Sequence, residues 1–291
     1  MRETDGPRSG RQRGELAELW RRLRRNRAAV AGAAIVGVFV FLAAFAPLLA
    51  PFEPNVGALQ DRLLSPSRAH WFGTDELGRD LFSRILYGAR ISLQVQLVAV
   101  ILALLIGVFL GSIGGYLGGR IDNLIMRCMD VLLAFPSIFL ALAIIAALGT
   151  GLFNLMLAAG ISSVPAFARI VRASILSLKE REFVEAALAL GSGNSRVMFR
   201  HLLPNCLAPI IVQSTLRMAT VLLTASGLSF LGLGVQPPTA EWGAMLSNAR
   251  SYLIVAPHVA TIPGLAIMVV VVGFNLFGDG LRDTLDPRLR Q

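Results

Sequence analysis

Side chains able to carry out chemistry are few and widely spaced in this sequence of 291 residues. The only lysine, Lys179, lies between Leu178 and Glu180, whereas a phosphate-binding loop needs the order Gly-Lys-Ser/Thr so that the lysine reaches the phosphates. The cysteines Cys128 and Cys206 do not have the spacing of a metal site. The sequence therefore predicts no catalytic, cofactor or metal site, since the other nucleophiles and bases are scattered: Ser162, Ser163, His70, His201 and His258.

Charged groups of the kind that drive an ion-coupled carrier are also rare. Acidic and histidine side chains within apolar spans are costly and therefore usually functional, and the long apolar runs of this chain contain almost none. Arg217 is the exception, and three interpretations stay open: it faces a pore, lies against a partner subunit, or snorkels toward the inner surface. If the chain moves a solute, its energy source is expected on another polypeptide.

A polar segment with helix-forming composition lies between two apolar runs, at residues 185–205. Residues 179–190 are rich in Glu, Ala and Leu and predict a short helix. Gly191 and Gly193 are expected to break it, because glycine tolerates the left-handed turn that ends many helices.

A second short helix is predicted after this turn, over residues 196–202. Asn194 or Ser195 can cap its start, and Pro204, which lacks an N–H, is expected to stop it. The product is a compact helical knob suited to a cleft on a partner, and an ordinary amphipathic loop is the alternative. The surface of the knob is expected to include Glu185, Ala186 and Ala187.

The positions of these residues depend on a membrane, which the composition predicts. Hydrophobic residues make up 55% of the chain and charged residues 15%, and the mean hydropathy is +0.65. Because a helix needs about 20 apolar residues to cross the hydrocarbon layer, the uncharged runs can be counted as spans. We predict an all-α polytopic membrane protein with six transmembrane helices: 28–50, 91–117, two within 131–168 separated by a turn at 149–151, 207–233 and 259–277.

The distribution of arginine predicts the orientation, because basic residues favour the cytoplasmic side. Nine arginines precede the first span, which is too long for a signal peptide and is interpreted as a retained anchor. With that end inside, 20 of the 27 basic residues are cytoplasmic. The net charge of +9 is thus a signal of topology, and no motif indicates nucleic acid.

The same topology divides the chain into five parts. Residues 1–27 form a cytoplasmic tail whose second half predicts an amphipathic helix on the inner lipid surface. The first span, 28–50, precedes an external loop at 51–90. Residues 91–280 form a core of five helices, and residues 281–291 form a cytoplasmic tail. In the core, Gly107, Gly111 and Gly115 recur at intervals of four and predict a helix face that another backbone approaches closely.

Two motifs resemble those of one transporter family. Residues 185–205, EAALALGSGNSRVMFRHLLPN, resemble the EAA loop of ABC-importer permeases, and residues 70–80, HWFGTDELGRD, are similar to the signature before the second helix of dipeptide, oligopeptide and nickel importer permeases. Further similarity lies at residues 227–232 and 278–287. On these motifs the sequence is identified as a member of this family and of its C-type subunits. The resemblance runs from about residue 28 to residue 290, which is nearly the whole chain.

The resemblance implies a type I ABC-importer permease fold and a set of partners. These are a second homologous permease, two cytoplasmic ATPases that bind ATP and Mg, and an external solute-binding protein. Residues 180–205 would couple the permease to the ATPases, through Glu185, Ala186, Ala187, Gly191, Arg181, Arg196, Arg200 and Pro204. The external gate or binding-protein contact would use Trp71, Asp75, Arg79, Asp80 and Trp242.

The sequence leaves the substrate open. Peptide is the expected substrate, and nickel or an opine-like solute is the alternative within the family. A stand-alone ion-coupled carrier is the alternative from another class. The expected location is the cytoplasmic (inner) membrane of a bacterium or archaeon.

Overall fold

The computed structural model describes residue 21 and residues 23–285, which fold mainly as α-helices. The described residues contain no β-strand, only two isolated bridges, so the all-α prediction is confirmed. We label the principal helices in chain order: α1 Arg27–Ala44, α2 Leu81–Leu117, α3 Gly119–Leu133, α4 Ser137–Leu148, α5 Leu152–Lys179, α6 Glu182–Ala189, α7 Leu207–Phe230, α8 Trp242–Ala249 and α9 His258–Leu285.

Within the described residues, five helices are long and apolar enough to cross a membrane: α1, α2, α5, α7 and α9. The pair α3 and α4 passes the same test together and makes a sixth span if it is counted as one, although the two helices are bent by 91°. The six predicted spans therefore correspond to five straight helices and one broken one.

The centre of the fold is the long contact between α2 and α5. A Cβ added to Gly107 would lie 2.4 Å from the Cβ of Phe167, and one added to Gly111 would lie 2.5 Å from the carbonyl oxygen of Ala168. A Cβ at Gly115 would similarly meet the backbone of Arg172 at 3.1 Å. The glycine face predicted from the four-residue spacing is confirmed, and it lets these two backbones pack closely.

The first helix packs along the last. Asn26 caps α1 by accepting a hydrogen bond from the N–H of Ala29 at 3.1 Å. A Cβ at Gly32 would lie 2.4 Å from the backbone nitrogen of Phe277, so the two helices are in backbone contact. This contact places the start of α1 beside the end of α9.

The second helix begins ten residues before the predicted start of its span at residue 91. Asp80 caps it, since its Oδ2 accepts from the N–H of Ser83 at 2.8 Å. The predicted span started after Arg90, because the uncharged run begins at residue 91, and it therefore also left out Arg84. That side chain is 3% exposed, and its Nε lies 3.2 Å from Oδ2 of Asp75. A paired charge in a buried site therefore does not end a helix.

The predicted third span is broken at Pro136, which precedes α4. Proline lacks a donor and disfavours helical backbone in the residue before it, so the chain turns here. The predicted turn between the next two helices is confirmed, because Gly149 and Gly151 have φ of 89° and 136°. The predicted interfacial helix at the end of residues 1–27, and the end of the tail at 281–291, fall largely outside the described residues.

Candidate functional site

The polar segment forms two short helices joined by a tight turn, and we call residues 182–205 the insert. Its first helix, α6, begins at Glu182 because Lys179 still belongs to α5. The turn is a Schellman motif: the N–H of Ser192 donates to the oxygen of Ala187, and that of Gly191 donates to Leu188. Gly191 has φ of 78°, as predicted for a glycine that ends a helix.

The second part of the insert differs from its prediction in two respects. Gly193, not Asn194 or Ser195, occupies the N-cap position. Pro204 does not end the helix, because it lies in the first turn of Leu203–Asn205, where its missing N–H has no partner to lose. A π-helical stretch at Val197–Leu202 precedes it, and α7 begins directly after Cys206.

An apolar core fixes the insert to the long helices on either side. Val184, Val197 and Leu202 are buried with side chains from α5 and α7. Cys206 belongs to the same cluster, and burial raises the pKa of its thiol, which lies outside the candidate spans, to about 11. The insert is therefore part of the bundle and does not hang from it as a free loop.

Polar contacts add a third attachment, to the end of α2. Tyr116 donates from its hydroxyl to Oδ1 of Asn194 at 2.9 Å. Lys179 donates from Nζ to the carbonyl oxygen of Tyr116 at 2.9 Å and lies over its ring. Displacement of the insert would therefore act on α2, α5 and α7 together.

Most of the predicted coupling residues are on the exposed side of the insert: Arg181, Glu185, Ala186, Gly191, Arg196, Arg200 and Pro204. Ala187 is the exception, because it is buried with Val184 against the bundle and is not available to a partner in this conformation. Sequence reasoning missed three exposed apolar residues at α6 and its turn, Phe183, Leu188 and Leu190, of which Leu190 is 88% exposed. It also missed Phe199, which is exposed in the second part of the insert. The sequence could have indicated these residues of α6, because Val184 and Ala187, which are three residues apart, define its buried face, and apolar residues off that face are then exposed.

At the opposite end of the bundle, the second motif folds into a buried polar cluster. Asp75 accepts hydrogen bonds from the backbone of Leu77 and Arg79, each at 2.9 Å, and from Nε of Arg79 at 2.7 Å. His70 Nδ1 lies 2.9 Å from Asp80. Gly78 has φ of 72°, and an added Cβ would collide with Ala58. The motif thus encodes a closed turn before α2.

Of the predicted external contact residues, only Trp71 is exposed, at 61%. The side chains of Asp75, Arg79, Asp80 and Trp242 are all buried within this chain, so here they shape the surface and do not offer contact atoms. Trp242 donates from Nε1 to the carbonyl oxygen of Ile85 at 3.1 Å. This bond ties α8 to the first turns of α2.

Glu241 is a buried acid that the sequence analysis did not single out as a site. Its oxygens accept from the backbone N–H groups of Gly243 and Ala244, each at 2.9 Å, and Ser92 donates to it at 3.3 Å. Burial raises the pKa of this carboxyl, and the backbone hydrogen bonds oppose that rise. The residue caps α8. No group of three or more potential metal ligands occurs among the described residues.

Comparison with known families fits this geometry. The family described as the binding-protein-dependent transport system inner membrane component matches residues 103–291. The N-terminal TM domain of oligopeptide transport permease C matches residues 15–66. The chain belongs to the binding-protein-dependent permease family.

Curated relatives match the sequence of this permease over most of their length. It is 51% identical, over 94% of its own chain and 90% of the relative, to the dipeptide transport system permease protein DppC of Alkalihalophilus pseudofirmus. It is also 51% identical, with the same coverage, to the glutathione transport system permease protein GsiD of Shigella flexneri. The permease is therefore a membrane-spanning subunit of an ABC importer.

Solved structures establish the fold. The MetNI methionine ABC transporter in an inward-facing conformation matches with a TM-score of 0.57 at 17% identity, over 71% of this chain and 98% of that one. An amino acid ABC transporter matches with a TM-score of 0.54, also at 17% identity, over 69% of this chain and 94% of that one. The predicted type I importer fold is confirmed, and the stand-alone carrier is not favoured.

Proposed function

We propose that the permease forms half of the translocation path for peptides in an ATP-driven importer. The two relatives described above are named for the transport of dipeptides and of glutathione, which is itself a tripeptide. The other half of the path would be a second homologous permease. An external binding protein would deliver the peptide. Two ATPases would bind ATP and Mg and hydrolyse the ATP, a reaction that this chain is not expected to catalyse.

The observation that carries the coupling role is the exposed rim of the insert. Phe183, Leu188 and Leu190 present apolar surface beside the acidic side chain of Glu185. Because buried apolar side chains fix the other face of the insert, this rim is held rigidly. A rigid apolar rim with charges around it is the composition expected of a protein contact. We assign it to the cleft of an ATPase.

The remaining coupling residues surround this rim. Arg181, Arg196 and Arg200 are exposed and would pair with acids of the ATPase. Gly191 would preserve the turn. Ala187 would act inside the permease, where it packs the insert against the bundle, and the exposed Pro204 would support the first turn of Leu203–Asn205.

The proposed orientation puts the insert and both termini in the cytoplasm and the cluster around Asp75 outside. It rests on the 20 of 27 basic residues that this orientation places inside. Trp71 is then the candidate contact for the binding protein, since it is the exposed residue among the five predicted external contact residues. The membrane would be the cytoplasmic membrane of a bacterium or archaeon.

Reconstitution of the complete importer tests this function. The permease, its second permease, the ATPases and the binding protein would be placed in proteoliposomes and supplied with di- and oligopeptides. We expect uptake and peptide-stimulated ATP hydrolysis to depend on the binding protein. Glu185→Ala and Leu190→Ala should each lower both about tenfold, the effect of losing roughly 1.4 kcal/mol of contact energy.

The control for these variants is Gly193→Ala, because Gly193 has an ordinary φ of −68° and an added Cβ there meets nothing within 4 Å. This variant should retain wild-type coupling. Uptake by the permease alone without ATP, or full coupling in both contact variants, would contradict the proposal.

A further inference from the structure

One face of α7 carries a line of polar side chains. Gln213, Arg217, Thr220 and Thr224 follow each other at intervals of four, three and four residues, so they share one side of a helix with 3.6 residues per turn. All four are exposed or half-buried. The opposite side of α7 is packed inside the bundle, through residues such as Ala219, Leu222 and Ala225.

This polar face lies at a depth where water is otherwise excluded. Arg217 is ten residues after the start of α7 and thirteen before its end, which is about 15 Å and 20 Å along the axis. It is therefore near the middle of a hydrocarbon layer about 30 Å thick. A charge at that depth is found facing a water-filled cavity or another polar group, and not lipid.

The side chains on this face have unused hydrogen-bonding groups. Thr220 and Thr224 donate back to their own helix, at 3.0 Å each, and keep lone pairs free to accept. Among the described residues, the guanidinium of Arg217 has neither an ion pair nor a hydrogen bond, and the amide of Gln213 has no hydrogen bond. A fixed guanidinium without a partner is a ready site for an anion.

The face continues into a cavity at the insert end of the bundle. This cavity has a volume of about 550 Å³, and its polar lining consists of Gln213, Asn205 and Arg282. Its size is in the range of small-molecule sites. Gln213 belongs both to the polar face and to the cavity, so the two form one polar route that runs from mid-membrane to the insert end.

We propose that this face of α7 lines the translocation path and that Arg217 binds the terminal carboxylate of the passing peptide. The proposal rests on the peptide-import function stated above. The planar guanidinium matches a carboxylate in a bidentate pair, and every linear peptide with a free C-terminus carries one. Gln213, one turn nearer the cavity and about 6 Å away along the axis, reaches the peptide main chain.

The test compares a tripeptide with its C-terminal amide in the reconstituted importer. We expect the ratio of uptake rates, free acid over amide, to fall about tenfold in Arg217→Gln, the loss of one charge-assisted pair, and to fall less in Arg217→Lys. The binding protein is the same throughout, so its own preference cancels when variants are compared. Thr215→Ala is the matched control, because the hydroxyl of Thr215 is satisfied by Ile211 of the same helix and lies off the polar face.

An unchanged ratio, or equal losses for both peptides, would overturn the carboxylate contact. If the wild-type importer transports no amide at all, the ratio has no value. The carboxylate contact would then be overturned if Arg217→Gln took up the free acid at the same rate as wild type. Absence of binding-protein-dependent uptake in the wild type would mean that the proposed function itself fails.

A second measurement tests the lining of the path without transport. Gln213→Cys, Arg217→Cys, Thr220→Cys and Thr224→Cys would be made singly in a Cys128→Ser, Cys206→Ser background. We expect a charged thiol reagent to modify all four in the assembled importer at least tenfold faster than Val38→Cys, whose site is 55% exposed in the middle of α1. Modification of Arg217→Cys no faster than Val38→Cys would overturn the proposal.

Discussion

Gly191 illustrates how one backbone angle sets the shape of the insert. Its φ is 78°, and an added Cβ would meet nothing within 4 Å, so only the backbone opposes a side chain here. We expect Gly191→Ala to destabilise the turn by about 1–2 kcal/mol, the cost of left-handed backbone for a residue with a Cβ. Gly191→Asn should cost less because asparagine tolerates this region. Thermal unfolding of the purified permease measures both.

The control is again Gly193→Ala, two residues away with φ of −68°. It should leave the unfolding temperature unchanged or raise it slightly, since alanine restricts the unfolded chain. Equal effects of the two alanine variants would show that backbone conformation is not what Gly191 supplies.

Glu241 provides a test through pH. Burial raises the pKa of its carboxyl in the folded permease above the ordinary value of 4.5. The folded state therefore binds more protons than the unfolded state between 4.5 and the folded pKa, and stability falls as pH rises through that window. Below 4.5 the group is neutral in both states, and this loss is absent.

We expect Glu241→Gln to remove this loss while keeping an oxygen for the cap of α8. The unfolding temperature of the variant minus that of wild type should therefore become more positive as pH rises from 4.5. Glu241→Ala should be destabilised by about 1–3 kcal/mol at pH 4.5, because the N–H groups of Gly243 and Ala244 lose their acceptor. Its destabilisation relative to wild type should shrink as pH rises, because this variant also lacks the titrating carboxyl. A difference between the Gln variant and wild type that does not vary with pH would contradict the raised pKa.

Helix packing depends on glycines at the contact between α2 and α5. A Cβ at Gly111 would lie 2.5 Å from the backbone oxygen of Ala168, and backbone cannot move aside as a side chain can. We expect Gly111→Val to destabilise the permease by about 1–3 kcal/mol or more through overpacking. Gly37→Ala in α1 is the control, because a Cβ there meets nothing within 4 Å. Thermal unfolding in detergent measures the difference, and similar values for both would refute the packing explanation.

At the level of elements, the sequence predicted which helices exist better than where they begin and end. Runs without charge locate the spans because lipid excludes unpaired charge. The same rule misplaced the start of α2 by ten residues, because Arg90 and Arg84 both lie within this helix. Arg90 is exposed on its surface, and Arg84 is buried beside Asp75. Pro204 was expected to stop a helix, but it occupies a first turn, and the sequence does not state which turn a proline will enter.

Exposure was harder to predict than secondary structure. Asp75 and Arg79 were predicted to form the external gate or binding-protein contact because they lie in the external motif at residues 70–80. Their burial depends on Gly78, whose positive φ closes the turn and brings the two side chains together. The apolar rim around Leu190 was overlooked because its exposure depends on which face of α6 the bundle covers.

For the whole molecule, the orientation proposed from arginine counts can be measured. Leu190→Cys and Trp71→Cys would be made separately in a Cys128→Ser, Cys206→Ser background, since both sites are well exposed, at 88% and 61%. We expect an impermeant thiol reagent added to intact cells to label the variant at 71 only. Inverted vesicles should show the reverse. The opposite pattern would mean that the insert faces outward.

The long helix α2 links the two sides of the membrane mechanically. Its 37 residues form an unbroken rod of about 55 Å, nearly twice the thickness of the hydrocarbon layer. One tip is clamped by Asp80, next to the surface where Trp71 is exposed, and the other is clamped through Tyr116 to the insert. Because the helix has no break that could act as a hinge, a displacement of one end moves the other end as well. In the proposed orientation, docking of the peptide-loaded binding protein outside and closure of the ATPases inside would therefore act on the same rigid helix.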